Sequence, residues 1–288
     1  MTSLSVVIPT HGRPTSLSRL LASIGESEGA PSTVEVVVVD DGSAAGSYDA
    51  VARRFPEVRW LRQGRAGPAT ARNTGWRAST APNIVFVDDD CTLETRTLER
   101  LVRALDGADA VGAEIEPLQR GQLIADFMHA EHLVTHKVED GQVRWLVSAC
   151  LAVRRSALEQ VGGFDEALPH PAGEDVDLSL RMRELGLRLA VCTEAVARHD
   201  HRASLGQLVR TYYRHGTGQR HLARRHSERR SDLARSTRER LSLRAWSVTY
   251  RRYRSSHGVL TSAAFVGLRA MMMVPWLVGA QRGSGAEP

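Results

Sequence analysis

Unbroken apolar runs alternate with stretches of helical spacing along the first hundred residues. Leu4–Pro9 (LSVVIP) and Val34–Val39 (VEVVVV) show no in–out alternation, so both read as strands buried on two faces. Between them, Leu17, Leu20, Leu21 and Ile24 recur at helical spacing within Pro14–Ile24. A short helix over Tyr48–Arg54 leads to a third strand, Val58–Leu61, then a helix over Gly67–Ser79 and a fourth strand, Asn83–Val87. Beyond residue 105 the pattern loosens. Ala108–Ile115, Val143–Val153 and Leu189–Ala197 read as strands, with a helical segment over Leu123–His136 and a short helix over Ser156–Val161. Asp175–Leu185 carries Leu178, Met182 and Leu185 on one face, with Gly186 as a stop. There are no internal repeats. The alternation predicts an α/β fold: a mostly parallel sheet with helices on both faces. Ligands in such sheets lie at the carboxyl ends of the strands, where the polar clusters Thr10–Arg13, Asp40–Ser43 and Asp88–Asp90 fall.

Charge divides the chain where the pattern changes. The net charge is +5 over 288 residues. Residues 1–197 hold 20 Lys and Arg against 28 Asp and Glu, a net of −8, whereas residues 198–288 hold 18 against 5, a net of +13. We therefore expect a catalytic-looking domain over 1–202 and a helical, arginine-rich region over 203–288. A basic region of this kind suits an anionic partner: membrane lipid, nucleic acid or a phosphorylated substrate. Tyr212, Tyr213, Trp246, Tyr250 and Tyr253 interleave with its arginines as they do in stacking platforms, but a polynucleotide would share the molecule with an acidic body. Nucleic acid is therefore the less favoured partner.

The apolar stretch Val259–Ala280 is split by Arg269 and Pro275. A spanning helix wants about 20 mostly apolar residues, and a central arginine is costly in lipid. The stretch reads as a helix lying on or dipping into a membrane, anionic lipid suiting the arginines, with Trp276 near the interface, or else as one packed against the body. The three cysteines, Cys91, Cys150 and Cys192, are widely spaced without a C-x-x-C, which fits a reducing cytoplasm. The chain enters a strand-like run at once, so no signal peptide is expected. Together these predict a cytoplasmic protein, peripheral on the inner face of a membrane.

Residues 83–91, NIVFVDDDC, carry the sharpest chemistry. Three carboxylates, Asp88, Asp89 and Asp90, end a buried strand and repel one another unless a cation sits among them. Asp88 and Asp90 are two apart on an extended chain and point the same way, which suits Mg²⁺ or Mn²⁺ with open positions for substrate phosphates. An acidic turn after a strand is the plain alternative. Thr10-His11-Gly12-Arg13-Pro14 matches neither dinucleotide nor P-loop glycine patterns. Asp40 and Asp41 end the second strand, where a carboxylate accepts from a base or ribose, or simply caps a turn. Gly67–Gly75 (GPATARNTG) opens a helix whose N–H groups suit an anion, and Arg72 reaches a diphosphate or cross-braces the acidic turns. Glu174, Asp175 and Asp177 are also compatible with helix-start electrostatics alone. Phe164 and Trp145 read as core residues or as a cover for a bound ligand. His129, Glu131, His132 and His136 lack the H-E-x-x-H order, so they read as a lid or substrate-side helix rather than a zinc site.

In order, VVIPT-x-x-R (Val6–Thr10, Arg13), VVDDGS (Val38–Ser43), GPATARNTG, FVDDD (Phe86–Asp90), RRSALEQVGGFDE (Arg154–Glu166) and GEDVDLSLRMRELG (Gly173–Gly186) resemble the family 2 glycosyltransferases of GT-A fold. The resemblance spans about residues 4 to 200 and leaves out the basic tail. It implies transfer of a sugar from a nucleotide-diphosphate donor to an acceptor hydroxyl, lipid-linked or polysaccharide, with inversion. It places Thr10 and Asp40 or Asp41 at the nucleoside. Asp88 and Asp90 match the D-x-D that holds Mg²⁺ or Mn²⁺, Asp175 the general base, and His199 the histidine that joins the metal, with His201 a rival. Pro9, Thr10, Arg13, Asp40, Asp41, Arg72, Asp89 and Glu174 make up the candidate donor-binding set. The rival readings are a nucleotidyltransferase, which wants a glycine-rich first loop with an activating cation, and a non-catalytic basic adaptor. Lys137 is the one lysine of the chain.

Overall fold

A computed structural model describes residues 3–30, 33–131, 133–167, 172–201, 204–226 and 243–281. By contacts the chain divides into two units: Met1–Leu118 with Val134–Asp200, and Gln119–Leu133 with His201–Pro288.

The first unit is built on an eight-stranded sheet ordered β3-β2-β1-β4-β9-β6-β10-β5. Its strands are β1 (Leu4–Thr10), β2 (Val34–Asp41), β3 (Arg59–Gln63), β4 (Asn83–Val87), β5 (Cys91–Leu93), β6 (Ala110–Pro117), β9 (Cys150–Arg154) and β10 (Leu189–His199). β1 is buried at every position, which is why its sequence never alternates. It pairs in parallel with β2 on one side and β4 on the other. From β1 the chain moves to β2 and β3 on one side and then crosses back to β4 on the other, so the switch in direction falls at β1 and the carboxyl ends of β1, β2 and β4 lie side by side there. The β1–β2 register sets Thr10 beside Asp40. Four pairings are parallel and three antiparallel, because β9 runs against both β4 and β6 and β5 runs against β10. Helices α1 (Pro14–Gly25), α2 (Asp49–Arg54), α3 (Pro68–Ala78), α4 (Thr97–Ala104), α6 (Arg155–Val161) and α7 (Glu174–Glu184) accompany the strands. Two hydrophobic clusters make the core, one containing Leu17, Val38 and Leu101, the other Trp76, Phe86 and Leu178.

Two expected elements differ. Val143–Val153 is not one strand. It breaks into β8 (Gln142–Trp145), which pairs with β7 (Lys137–Glu139), and β9. In the break, successive amides donate to side chains instead of to a neighbouring strand: Leu146 N–H to Ser179 Oγ (3.0 Å), Val147 N–H to His136 Nδ1 (3.0 Å) and Ser148 N–H to Asp175 Oδ2 (3.4 Å). Apolar pattern is blind to that exchange. The segment expected to be helical over Leu123–His136 keeps only α5 (Leu123–Ala130) as helix. His136 lies beyond it, inside the first unit, where its Nε2–H donates to the Ala113 carbonyl (2.7 Å) and its Nδ1 accepts from Val147. Burial lowers its pKa, so it is a neutral core histidine with both nitrogens engaged. His132 lies outside the described residues.

The second unit packs α5 with α8 (Leu205–Arg225), α9 (Leu243–Ser256) and α10 (Val259–Gln281). Phe127, Leu208, Tyr212, Tyr253, Phe265, Met272 and Trp276 form its core. α8 and α10 meet at the backbone. A Cβ on Gly216 would stand 2.1 Å from the Trp276 carbonyl, and one on Gly279 would stand 2.1 Å from that of Tyr213. The arginine inside the apolar stretch is accounted for here. Arg269 Nη1 bonds both oxygens of buried Glu131, at 2.7 and 2.5 Å, and Tyr212 (3.0 Å), Tyr253 (2.5 Å) and Arg252 (3.0 Å) also donate to that carboxylate.

Candidate functional site

The strand ends of β1, β2 and β4 bring acids and arginines together. After β4, Asp88 donates its N–H to the Ala149 carbonyl (3.0 Å), which fixes the acidic turn against the start of β9. Each acid then meets a guanidinium. Arg13 Nη1 lies 2.8 Å from Asp89 Oδ1 and 2.7 Å from Asp90 Oδ2. Arg72 Nη2 lies 2.7 Å from Asp88 Oδ1, while its Nη1 lies 3.0 Å from Glu174 Oε1. Arg72 is buried and its guanidinium sits 5.4 Å from the Phe164 ring centroid. Burial opposes its charge, but Asp88 and Glu174 outweigh that and hold its pKa above the usual range. The cross-brace reading of Arg72 is therefore the observed geometry.

The first turn is locked from inside. Thr10 Oγ1 donates to Asp89 Oδ2 (2.6 Å), so Tyr48 Oη donates to Thr10 (2.7 Å) and accepts from the Arg13 N–H (3.0 Å). Burial, then the charge of Asp90, pushes Asp89 up to about 6 against the pull of Arg13. Pro9 lies one residue before, in the buried end of β1. Asp40 and Asp41 are both buried but differ. Asp41 accepts from Gln63 Nε2 (2.8 Å), Ala66 N–H (2.8 Å) and Gly67 N–H (2.9 Å), which orders the loop into α3. Asp40 accepts from Ser43 N–H (2.9 Å) and faces Arg62 Nε at 3.7 Å.

β10 carries His199 to the acidic turn. The antiparallel register sets His199 opposite Cys91, and the Asp200 N–H donates to the Asp90 carbonyl (2.9 Å). His199 Nε2 then stands 3.3 Å from Asp90 Oδ1. Asp90, Cys91 and His199 offer donor atoms within 4.8 Å of one another. Cys91 is the poor member. Its thiol is buried, donates to the Ala149 carbonyl (3.5 Å), and is pushed up by burial and the flanking aspartates. Carboxylate and imidazole remain, a donor pair that fits a divalent ion such as Mn²⁺ or Mg²⁺. His201 belongs to the helical unit, where its ring lies 6.2 Å from that of His129.

Asp175 sits in the first turn of α7, half-buried. Its Oδ1 accepts from the Val176 N–H (2.8 Å) and its Oδ2 from the Ser148 N–H. A helix start favours a carboxylate, yet burial, followed by the adjacent charge of Glu174, pushes Asp175 up to about 7. Asp177 is fully buried and pairs with Arg181 (2.7 Å), which also donates to the Val161 and Gly163 carbonyls, so it supports the Gly162–Gly163 loop. That loop presses on α3. Gly163 has φ +81°, and a Cβ there would meet Asn73 Oδ1 at 2.5 Å. Asn73 clamps Phe164 both ways, donating to its carbonyl (2.9 Å) and accepting its N–H (3.0 Å). Phe164 packs edge-on to Phe86, so it is core. Tyr48 and Asn73 were not among the expected site residues. A tyrosine at the start of a short helix gives no signal of this role, whereas Asn73 stands beside Arg72 in Gly67–Gly75.

Comparison with known proteins agrees with this architecture. The family model described as Glycosyl transferase family 2 matches residues 5–162, ending before α7. The pre-mycofactocin glycosyltransferase of Mycobacterium tuberculosis is 32% identical over 80% of this chain and 49% of its own length. The N-acetylglucosaminyl-diphospho-decaprenol L-rhamnosyltransferase of the same organism is 30% identical over 71% of this chain and 78% of its own. Among solved structures, a mannosyltransferase from Pyrobaculum calidifontis in complex with GDP-Man and Mn²⁺ superposes with a TM-score of 0.63 at 20% identity. That match covers 96% of this chain and 85% of the other. This chain spans about half the length of the pre-mycofactocin glycosyltransferase. With the mixed sheet and the extent of these matches, the chain belongs to glycosyl transferase family 2.

Proposed function

We propose that the protein transfers a sugar from a nucleotide-diphosphate donor to an acceptor hydroxyl, in one displacement that inverts the anomeric centre. The carrying observation is the link between two acid groups. Arg72 joins Asp88 to Glu174, and the adjacent peptides Ser148 and Ala149 join Asp175 to Asp88. The diphosphate-side turn and the base candidate are therefore held one guanidinium and one peptide apart.

Charge supports a metal. Among the described residues, Asp88, Asp89, Asp90, Glu174 and Asp175 are paired with two guanidiniums, Arg13 and Arg72, so a diphosphate approaching them alone is repelled. Asp90 and His199, with Asp88 across the turn, are the residues that would hold Mg²⁺ or Mn²⁺. A divalent ion there supplies Lewis-acid neutralisation of the leaving diphosphate. Asp40, with one oxygen nearer Arg62, is the better nucleoside contact than Asp41, whose oxygens already take three donors. Thr10, Pro9, Arg13 and Asp89 shape the wall beneath the donor. Asp175 takes the acceptor proton: a carboxylate near 7 is a competent base at neutral pH, and it need only reach about 3 Å from the hydroxyl in the assembled complex. A lipid-diphosphate-linked acceptor is supported by the mycobacterial relative named for one. No observation favours a nucleotidyltransferase or an adaptor.

A thermal-shift screen of nucleoside diphosphates with and without Mn²⁺ tests the donor half. A shift that needs both nucleotide and ion is expected. No shift with any nucleotide, in either condition, would end the proposal.

A further inference from the structure

The outward face of α10 is as apolar as its buried face. Phe265, Arg269, Met272, Met273, Trp276 and Gly279 point into the helical unit. On the opposite arc stand Leu260 (87% exposed), Ala263, Gly267, Ala270, Met271 (48%) and Val274 (63%), at spacings of three, four and seven, with no polar side chain among them. Val259 beside them is 57% exposed. A surface helix normally turns charged residues to water, so this stripe is made to be covered.

Two observations choose the cover. α8, α9 and α10 together carry ten arginines and no aspartate or glutamate. Arg251 and Arg254 are exposed on the last turns of α9, and Arg254 donates to the His257 carbonyl in the turn that leads directly to Val259 and Leu260. An apolar tip therefore stands next to guanidiniums. A second copy of this chain paired face to face along α10 would set arginines against arginines; an anionic bilayer sets them against phosphates.

By length and composition α10 also suffices to cross a bilayer, alone in this among the described helices. Its inner face argues otherwise. Arg269 is bound to Glu131, and backbone contact with α8 at Gly216 and Gly279 needs the helical unit intact. Extracting α10 to span lipid would break both.

We infer that the Leu260–Val274 face of α10 docks the helical unit on an anionic lipid monolayer, with the helix lying in the interface and Arg251 and Arg254 on headgroup phosphates. This goes beyond the sugar-transfer reading and stands apart from it, because it is scored without any donor.

The test is flotation of the full chain with vesicles of equal parts phosphatidylglycerol and phosphatidylcholine, or phosphatidylcholine alone. The protein should float with the mixed vesicles and far less with the neutral ones. Leu260→Asp/Val274→Asp should cut flotation by about tenfold or more, with thermal unfolding unchanged since both side chains are exposed. Arg251→Glu/Arg254→Glu should remove the preference for anionic lipid. Equal flotation of the aspartate variant overturns the inference, as does failure of the wild type to float. So does resistance of the bound protein to alkaline carbonate, which marks a spanning helix. A wild-type dimer by light scattering that the aspartate variant abolishes, without vesicle binding, would assign the face to a second copy instead.

Discussion

Two buried carboxylate centres in this chain are built on opposite charge balances. In the helical unit a single acid, Glu131, is surrounded by donors: Arg269, Arg252, Tyr212 and Tyr253. Burial raises a carboxyl's pKa, but these partners outweigh it and hold Glu131 below the usual range. In the sheet unit the acids outnumber their partners. There burial and neighbouring carboxylates win, lifting Asp175 to about 7 and Asp89 to about 6. The first arrangement has spent its charge on structure. The second keeps, among the described residues, more carboxylates than guanidiniums at the carboxyl ends of the strands, so its protonation responds to neighbouring charge.

If that contrast is right, the largest effects on turnover come from the acid-rich centre. Asp175→Asn is expected to keep donor affinity and cut transfer by about 10²–10⁴-fold, the usual size of a general-base contribution. In wild type, kcat/KM should rise with pH through about 7, because the base must lose its proton, and that rise should vanish in the variant. Wild-type turnover in Asp175→Asn would remove Asp175 as base. Asp90→Ala should abolish the part of donor affinity that depends on added Mn²⁺, read by calorimetry; binding that stays metal-stimulated would clear Asp90 of the role.

The donor-rich centre should respond in stability instead. Glu131→Gln leaves Arg269 buried without its counter-charge, and losing one partner of such a pair costs about 3–5 kcal/mol. Urea unfolding measures it. Glu131→Gln/Arg269→Met should recover most of the loss, since a neutral packed pair replaces a broken ionic one. Should the single variant prove neutral, Glu131 is not the fastener of this unit.

How much of this was legible follows from what each signal measures. Apolar continuity marked β1, β2 and β4, because strands covered on both faces show it directly. The acids at their ends were therefore legible as neighbours, and the quoted motifs added Arg72. The three-residue β5 was not, being too short to leave a pattern, although its pairing with β10 sets His199 opposite Cys91. The brace of Asp88 by Arg72 was legible as one of two readings, but the pairing of Arg13 with Asp89 and Asp90 was not: local repulsion suggested a cation, and a guanidinium distant in sequence supplies part of one. The break after β8 was hidden because its amides bond to side chains from two other segments, α7 and the stretch holding His136. A helix start favours an ionised Asp175 unless the pocket desolvates it, and whether it does is a tertiary fact: desolvation, then Glu174, raises this carboxyl.

Packing around that break gives a smaller test. A Cβ on Gly112 would lie 2.1 Å from His136 Cε1, and His136 is what holds the Val147 amide in the break. Gly112→Ala should therefore cost about 1–3 kcal/mol by overpacking. If β6 simply absorbs the methyl group with no loss, the histidine is not a tight wedge, and the position of Ser148 under Asp175 owes little to it.

A pH dependence of stability bears most directly on the contrast between the two centres. A carboxyl whose pKa is raised on folding binds its proton more tightly folded than unfolded. Between the unfolded value near 4 and the folded value of about 7, the unfolded chain has lost that proton and the folded one has not, so stability falls as pH rises through this window. Asp175→Asn removes the penalty. The variant should melt above wild type at pH 8, by about 2–4 °C for each kcal/mol relieved, and level with it near pH 4. Glu131 has the opposite sign: its lowered pKa adds stability above the unfolded value, lost as pH falls through the folded one, so at pH 8 Glu131→Gln melts below wild type. Opposite shifts from the two acids at one pH are what distinguish a carboxyl strained by desolvation and like charge from one used as a fastener. Shifts of the same sign would mean that burial alone, and not the balance of neighbours, governs both.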